Sequence, residues 1–145
     1  LFFDTDQFTT NYFFDEELEA MLSTDVSIEI EKSETDLFEL EVIKRANGSS
    51  KKQAKVIANK IEYDFVLSEN TVQFSQYLAL KAQQGFRFQE IELVLYVPEG
   101  KTIYLDNSLK NVVYALENTA AFYDRKMVNH YWEMTNGKLK CKDCK

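Results

Sequence analysis

The chain has 145 residues, of which 45% are hydrophobic, and a net charge of −7. It is long enough for one domain with its own core and too apolar for a disordered segment. With only 4 glycines and 1 proline it is neither collagen-like nor low in complexity. The negative charge repels phosphate backbones. Lys44-Arg45 and Lys51-Lys52 are too small a basic set to release counterions along a duplex, so no nucleic acid is expected as a partner. No apolar run approaches the ~20 residues that span a bilayer, and no leader pattern is visible.

The first 24 residues are rich in aromatics: Phe2, Phe3, Phe8, Tyr12, Phe13 and Phe14. Asp15 is placed to cap a short helix over 16–22, whose Leu18, Met21 and Leu22 share one face. So short a helix must dock on the core, and residues 1–24 are read as a segment capping one end of the domain. From Val26 the period becomes two. Val26, Ile28 and Ile30 alternate with Ser27, Glu29 and Glu31, then Phe38, Leu40 and Val42 alternate with Glu39 and Glu41. With Ser33-Glu34-Thr35-Asp36 as the turn, the pattern predicts a β-hairpin with one buried and one acidic face. Outward glutamates also discourage edge-to-edge aggregation.

Asn47-Gly48-Ser49-Ser50 ends that pattern, and Ser49 or Ser50 suits a helix cap. Ala54, Ile57, Ala58 and Ile61 then keep helical spacing, with Lys51, Lys52, Lys55 and Lys60 as a solvated face. Strands resume with Tyr63, Phe65 and Leu67, a turn at 68–70, Val72 and Phe74, then Leu78 and Leu80. Gln83-Gln84-Gly85 is read as a loop tip. Phe86 and Phe88 have one parity and Ile91, Leu93, Leu95 and Val97 the other, which predicts a bulge near Gln89-Glu90. Pro98 lacks a ladder donor and closes this strand. After Glu99-Gly100, Ile103 and Leu105 make a short strand. Val112, Tyr114 and Leu116 offer a further alternation, and Phe122-Tyr123, Met127-Val128 and Tyr131-Trp132 are read as rungs of short strands. Asn136-Gly137 is a strong hairpin turn signal between Trp132–Met134 and Leu139.

Turns recurring roughly every ten residues suit a sandwich or a stacked array. The fold class is therefore mostly β, built from stacked short strands with one or two short helices. Residues 25–140 form the β domain, and 141–145 a cysteine-containing tail.

Three stretches carry a more specific pattern. They are V-P-E-G-K-T-I-Y-L-D from Val97 to Asp106, Y-D-R-K-M-V-N-H-Y-W-E-M from Tyr123 to Met134, and L-K-C-K-D-C from Leu139 to Cys144. Together, residues 26–144 resemble the C-terminal region of phage-shock-protein-C-like (PspC) membrane proteins of the Bacteroidetes type. They also resemble the toast-rack domains of related envelope-stress proteins, including the LiaF group. The resemblance implies a solenoid-like rack of short strands, and a membrane-anchored parent of the cell envelope with its spanning helices upstream. Such proteins carry the label of stress-responsive transcriptional regulators, yet this chain shows neither a helix-turn-helix pattern nor a basic stripe. The resemblance transfers no catalytic residue.

Cys141 and Cys144 form a C-x-x-C pair with three readings: a disulfide or redox pair, half of a metal site, or two cysteines in a mobile tail. A zinc site needs four ligands. His130 would be the third, and Asp143 or a second subunit would supply the fourth. No metal or other cofactor is assigned. The single histidine, His130, flanked by Tyr131 and Trp132, is read as part of a packed aromatic cluster. Asp4, Asp6 and Asp15-Glu16-Glu17 lack the glycine and glutamate of a calcium loop and are read as solvated acids. No phosphate-binding loop, nucleophile elbow or zinc-protease motif occurs.

The expected role is therefore non-enzymatic: a sensor and assembly module that binds a protein partner or its own copy. The alternative is an envelope-ligand or carbohydrate-binding β domain, with Tyr12, Tyr77 or Tyr96 lining a groove.

Overall fold

The computed structural model describes residues 2–4, 12–15, 20–23, 25–68, 70–75, 77–81, 88–113, 118 and 126–144. In chain order the strands are β1 (Phe2–Asp4), β2 (Tyr12–Asp15), β3 (Ala20–Ser23), β4 (Val26–Lys32) and β5 (Glu39–Arg45). The helix α1 (Lys51–Asn59) follows, then β6 (Phe65–Ser68), β7 (Thr71–Phe74), β8 (Leu78–Lys81), β9 (Glu90–Val97) and β10 (Thr102–Leu105). A 3-10 turn (Asn107–Leu109) precedes β11 (His130–Thr135) and β12 (Lys138–Cys141). Among the described residues the fold is mostly β with one α-helix, and the sheets do not close into a barrel. Strand order is β12-β11-β10-β1-β7-β6 in a six-stranded sheet, β2-β3-β8 in a second and β4-β9-β5 in a third. One continuous apolar cluster joins them, from Val26 and Ile28 through Leu78, Leu93 and Ile103 to Trp132 and Leu139.

The expected hairpin of β4 and β5 does not form. Both strands exist with the predicted alternation, but β9 lies between them, parallel to β4 and antiparallel to β5. The physical reason is burial. Leu93 and Leu95 are fully enclosed, and Val94 is buried on the opposite face. The inward side chains of β9, Ile91, Leu93, Leu95 and Val97, are all buried, and its outward ones, Glu90, Glu92, Val94 and Tyr96, lie between the half-acidic strands that flank it. Both ladders keep a constant register from Val26↔Ile91 to Lys32↔Val97 and from Glu39↔Tyr96 to Arg45↔Glu90. The expected bulge is therefore absent from this strand. No change of parity is needed here, because Phe88, at φ 53°, is exposed while Gln89 and Ile91 are buried. Phe86 and the tip at 83–85 lie outside the described residues.

The predicted helix over 16–22 is also overturned. Residues 20–22 belong to β3, which pairs antiparallel with β2 and β8, while 16–19 lie outside the described residues. The i, i+3, i+4 spacing of Leu18, Met21 and Leu22 suits a helix, but ladder bonds to β8 decide the conformation. β1 lies between β10 and β7, parallel to both, so the aromatic N-terminal stretch enters two sheets.

Helix α1 forms as expected. Ser50 caps it by accepting a hydrogen bond from the Gln53 N–H, Ala58 faces the core, and Lys51, Lys52, Lys55 and Lys60 are exposed. Ile61 is buried just beyond the helix, and its carbonyl accepts a hydrogen bond from Lys44 Nζ at 2.9 Å. Pro98 ends β9, and Gly100, at φ 82°, turns the chain into β10. Met127 and Val128 are buried in a turn, not in a strand rung, because Trp132 Nε1 donates to the Met127 carbonyl at 2.8 Å. Val112 and Val113 follow the 3-10 turn, with Val113 bridging Ile28. Tyr114, Leu116, Phe122 and Tyr123 lie outside the described residues.

Strand β6 pairs with β7 as the turn at 68–70 predicts, but its side chains are not buried. Phe65, Val66 and Leu67 are 41%, 58% and 70% exposed, because β6 is the outer strand of its sheet among the described residues. The two kinds of leucine should therefore respond differently to truncation. Leu93→Ala is expected to cost about 3 kcal/mol through cavity formation, and Leu67→Ala no more than about 0.5 kcal/mol, read as shifts in a urea unfolding curve. Equal losses would contradict the central position of β9.

Candidate functional site

The site of interest is the open end of the β11–β12 hairpin. Asn136 and Gly137 take φ values of 53° and 79°, the left-handed pair that a two-residue hairpin turn requires. This turn sets Thr135 opposite Lys138, Met134 opposite Leu139 and Trp132 opposite Cys141. Two steps further, the same register brings Asp143 beside His130, with 3.2 Å between Oδ1 and Nδ1. Asp143 Oδ1 also accepts the Tyr131 N–H at 3.1 Å and lies 3.5 Å from Cys141 Sγ. Cys141 is the last residue of β12, so the C-x-x-C motif begins inside the strand. The sulfurs of Cys141 and Cys144 are joined in this structure, with 5.7 Å between the Cα atoms. Both cysteines pack against the apolar cluster, and the His130 ring stands edge-on to Trp132 at 6.4 Å between centroids.

A second clamp holds the loop between the cysteines. The Lys142 N–H donates to the Tyr131 carbonyl at 2.8 Å, and Lys142 Nζ reaches Glu133 Oε2 at 2.9 Å. The hydrogen bond from Lys142, helped by one from Thr135, holds the Glu133 carboxyl below the usual range.

Of the residues singled out from sequence, His130, Cys141, Cys144 and Asp143 are therefore brought together, and their ligand atoms lie within 4.8 Å of one another. Joined as they are, neither sulfur is a nucleophile. The other candidates do not converge here. Asp4 falls in β1 and Asp15 in β2, while Asp6, Glu16 and Glu17 lie outside the described residues. Tyr77 is half-buried just before β8, with its N–H bonded to Ser75 Oγ. Nothing is described of the Tyr12 side chain.

Tyr96 stands elsewhere, on a surface that the reading of single strands did not assemble. Cross-strand pairing puts Glu29, Val94 and Glu41 in one row, and Glu31, Tyr96 and Glu39 in the next. Glu92 lies between Ser27 and Ile43 in the adjoining row. The outer face of β4-β9-β5 is therefore acidic, with Arg45 bridging Glu92 at 2.6 Å and Glu90 at 3.6 Å at one end. Burial, followed by repulsion from Glu31 and Glu92, pushes the Glu29 carboxyl up. Glutamates on alternate positions of two strands would have revealed this face once a third strand was placed between them. The pockets described on this face and beside α1 are lined mainly by charged side chains: Glu29, Arg45, Glu90 and Glu92 in one, Lys44, Lys60, Glu62 and Asp64 in another.

The decisive comparison is with family models. Residues 13–145 match a toast-rack domain found in some PspC proteins, the C-terminal toast-rack of PspC. The chain belongs to this family. No curated protein and no solved structure matches it. The match extends the resemblance read over residues 26–144 to residues 13–145. The PspC toast-rack family is not known as enzymatic. No helix among the described residues is long and apolar enough to cross a membrane.

The Lys142 clamp has a measurable signature. A carboxylate whose pKa is lowered in the folded state adds stability above its unfolded pKa and loses it as pH falls through the lowered value. Carbon-detected NMR titration should find Glu133 below its ordinary 4.5, and Lys142→Ala should return it toward that value. An unchanged titration in the variant would refute the clamp.

Proposed function

We propose that this toast-rack domain is a non-enzymatic sensor and assembly module of a membrane-anchored PspC-like envelope-stress protein, and that it assembles with a second copy of itself through β6. The observation that carries this reading is the exposure of Phe65, Val66 and Leu67 on a strand that is outermost among the described residues. An outer strand presents unpaired N–H and C=O groups, and folded proteins commonly protect it with lysine, proline or a bulge. Phe65–Ser68 carries none of these residues. It is also uncharged, so two such strands meet without like-charge repulsion at the contact even though each chain carries −7. Antiparallel pairing of one strand with its own copy is self-complementary about a two-fold axis and closes at a dimer. Membership of the PspC family supports a membrane-anchored parent with its spanning segments elsewhere in that protein. The acidic face of β4-β9-β5 supports a role away from anionic lipid and nucleic acid.

Two differently tagged copies of the full-length parent, co-expressed in its own membrane, should co-purify, and the captured fraction should change under envelope stress. Val66→Lys places a charge on the paired edge and is expected to cut self-capture by about tenfold, the equivalent of 1.4 kcal/mol. Equal capture of wild type and variant, or turnover of a substrate by the domain, would overturn the proposal.

A further inference from the structure

We propose that, with Cys141 and Cys144 as thiolates, the end of the β11–β12 hairpin binds one zinc-class divalent ion through Cys141, Cys144, His130 and Asp143. Four groups of suitable chemistry already stand within 4.8 Å of one another. A tetrahedral site with metal–sulfur bonds of about 2.3 Å and metal–nitrogen or metal–oxygen bonds of about 2.0 Å separates neighbouring ligand atoms by roughly 3.3–3.8 Å. The 3.2 Å between His130 and Asp143, and the 3.5 Å between Asp143 and Cys141, are already close to those edges. The two sulfurs must part, and Cys144 is the group that must move, since Cys141 is held in the β12 ladder. Cys144 lies beyond the last strand. The donor set of two sulfurs, one imidazole and one carboxylate selects zinc or cobalt over magnesium and calcium.

The surroundings are those of a built site. His130 is held on β11 opposite Leu105, and Asp143 is oriented by the Tyr131 N–H at 3.1 Å. Lys142, between the two cysteines, is pinned to Tyr131 and Glu133. The His130 and Asp143 side chains are 31% and 41% exposed, which leaves an approach from solvent. Two-residue spacing within C-x-x-C is common among zinc ligands, and the hairpin register brings in the other two groups.

The disulfide and the metal exclude each other, because a sulfur bonded to sulfur has no thiolate pair to donate. A small-molecule disulfide can act as oxidant. The metal-bound pair of thiolates attacks it, one sulfur–sulfur bond forms within the protein as one breaks in the oxidant, and two small-molecule thiolates and the divalent ion are released. Two electrons pass from the protein sulfurs to the oxidant. Occupancy of the site therefore follows the redox state of the pair.

Cobalt(II) titration of the whole chain tests this, in the presence of a phosphine reductant and again after oxidation with oxidised glutathione, with near-UV circular dichroism reporting packing around Trp132. The reduced chain is expected to take up one cobalt with the thiolate charge-transfer and tetrahedral d–d bands, zinc to displace it, and the oxidised chain to show neither band. His130→Gln and Asp143→Asn should each weaken binding by more than the about tenfold that losing even an outer partner costs. Cys144→Ser should remove most of the charge-transfer intensity. A reduced chain that gives no tetrahedral spectrum, folded or not, overturns the proposal. So does equal binding by the oxidised chain, or binding untouched by both His130→Gln and Asp143→Asn.

Discussion

The insertion of β9 between β4 and β5 is the constraint on which the rest depends. Leu93 and Leu95 pack into the common core, and Val94 on the other face is covered as well. At an edge β9 would leave one row of backbone N–H and C=O groups unpaired and uncover one flank of these buried side chains. Placing it centrally aligns Ile28 with Leu93 and Val42 on the inner face, and Glu29 with Val94 and Glu41 on the outer. The inner rows join the sheet to Trp132, Ile103 and Leu139. The outer rows make the acidic surface. One burial requirement therefore determines both the scaffold and its charge.

A second, local constraint governs the other end of the molecule. The Asn136-Gly137 turn fixes a hairpin register, and register alone decides that Asp143 meets His130 and that Cys141 lies beside Trp132. Because the period of a strand is two, a slip of one residue would send His130 and Asp143 to opposite faces. The cluster of ionisable groups thus rests on backbone geometry at a turn some distance from it. The Lys142 bridge to Glu133 adds a side-chain tie that keeps the following loop against β11.

Local pattern was legible in the residues, and partnership was not. Ser50 and the Ala54–Ala58 spacing marked α1, Pro98 marked the end of β9, and Asn136-Gly137 marked the last hairpin, because each of these signals acts within a few residues. The pairing of β4 with β9 instead of β5 depends on a strand some sixty positions away along the chain. The alternation of Phe65 and Leu67 implied a buried face, but β6 is the outer strand of its sheet among the described residues, and no local signal distinguishes the two. Leu18, Met21 and Leu22 satisfied helical spacing while ladder bonds to β8 favoured extension. At the candidate site the cysteines, histidine and aspartate were all visible as residue types. Their convergence follows from counting outward from the turn, and the C-x-x-C spacing left a disulfide as one of three readings that spacing alone does not separate.

The most direct measurement is of strand order around β9, by NMR on isotopically labelled protein. The account predicts cross-strand backbone contacts between Ile28 and Leu93 with parallel geometry, and between Val42 and Leu93 with antiparallel geometry, with the amides of β9 among the slowest to exchange with solvent. A ladder joining β4 directly to β5, with β9 exchanging quickly at an edge, would contradict it.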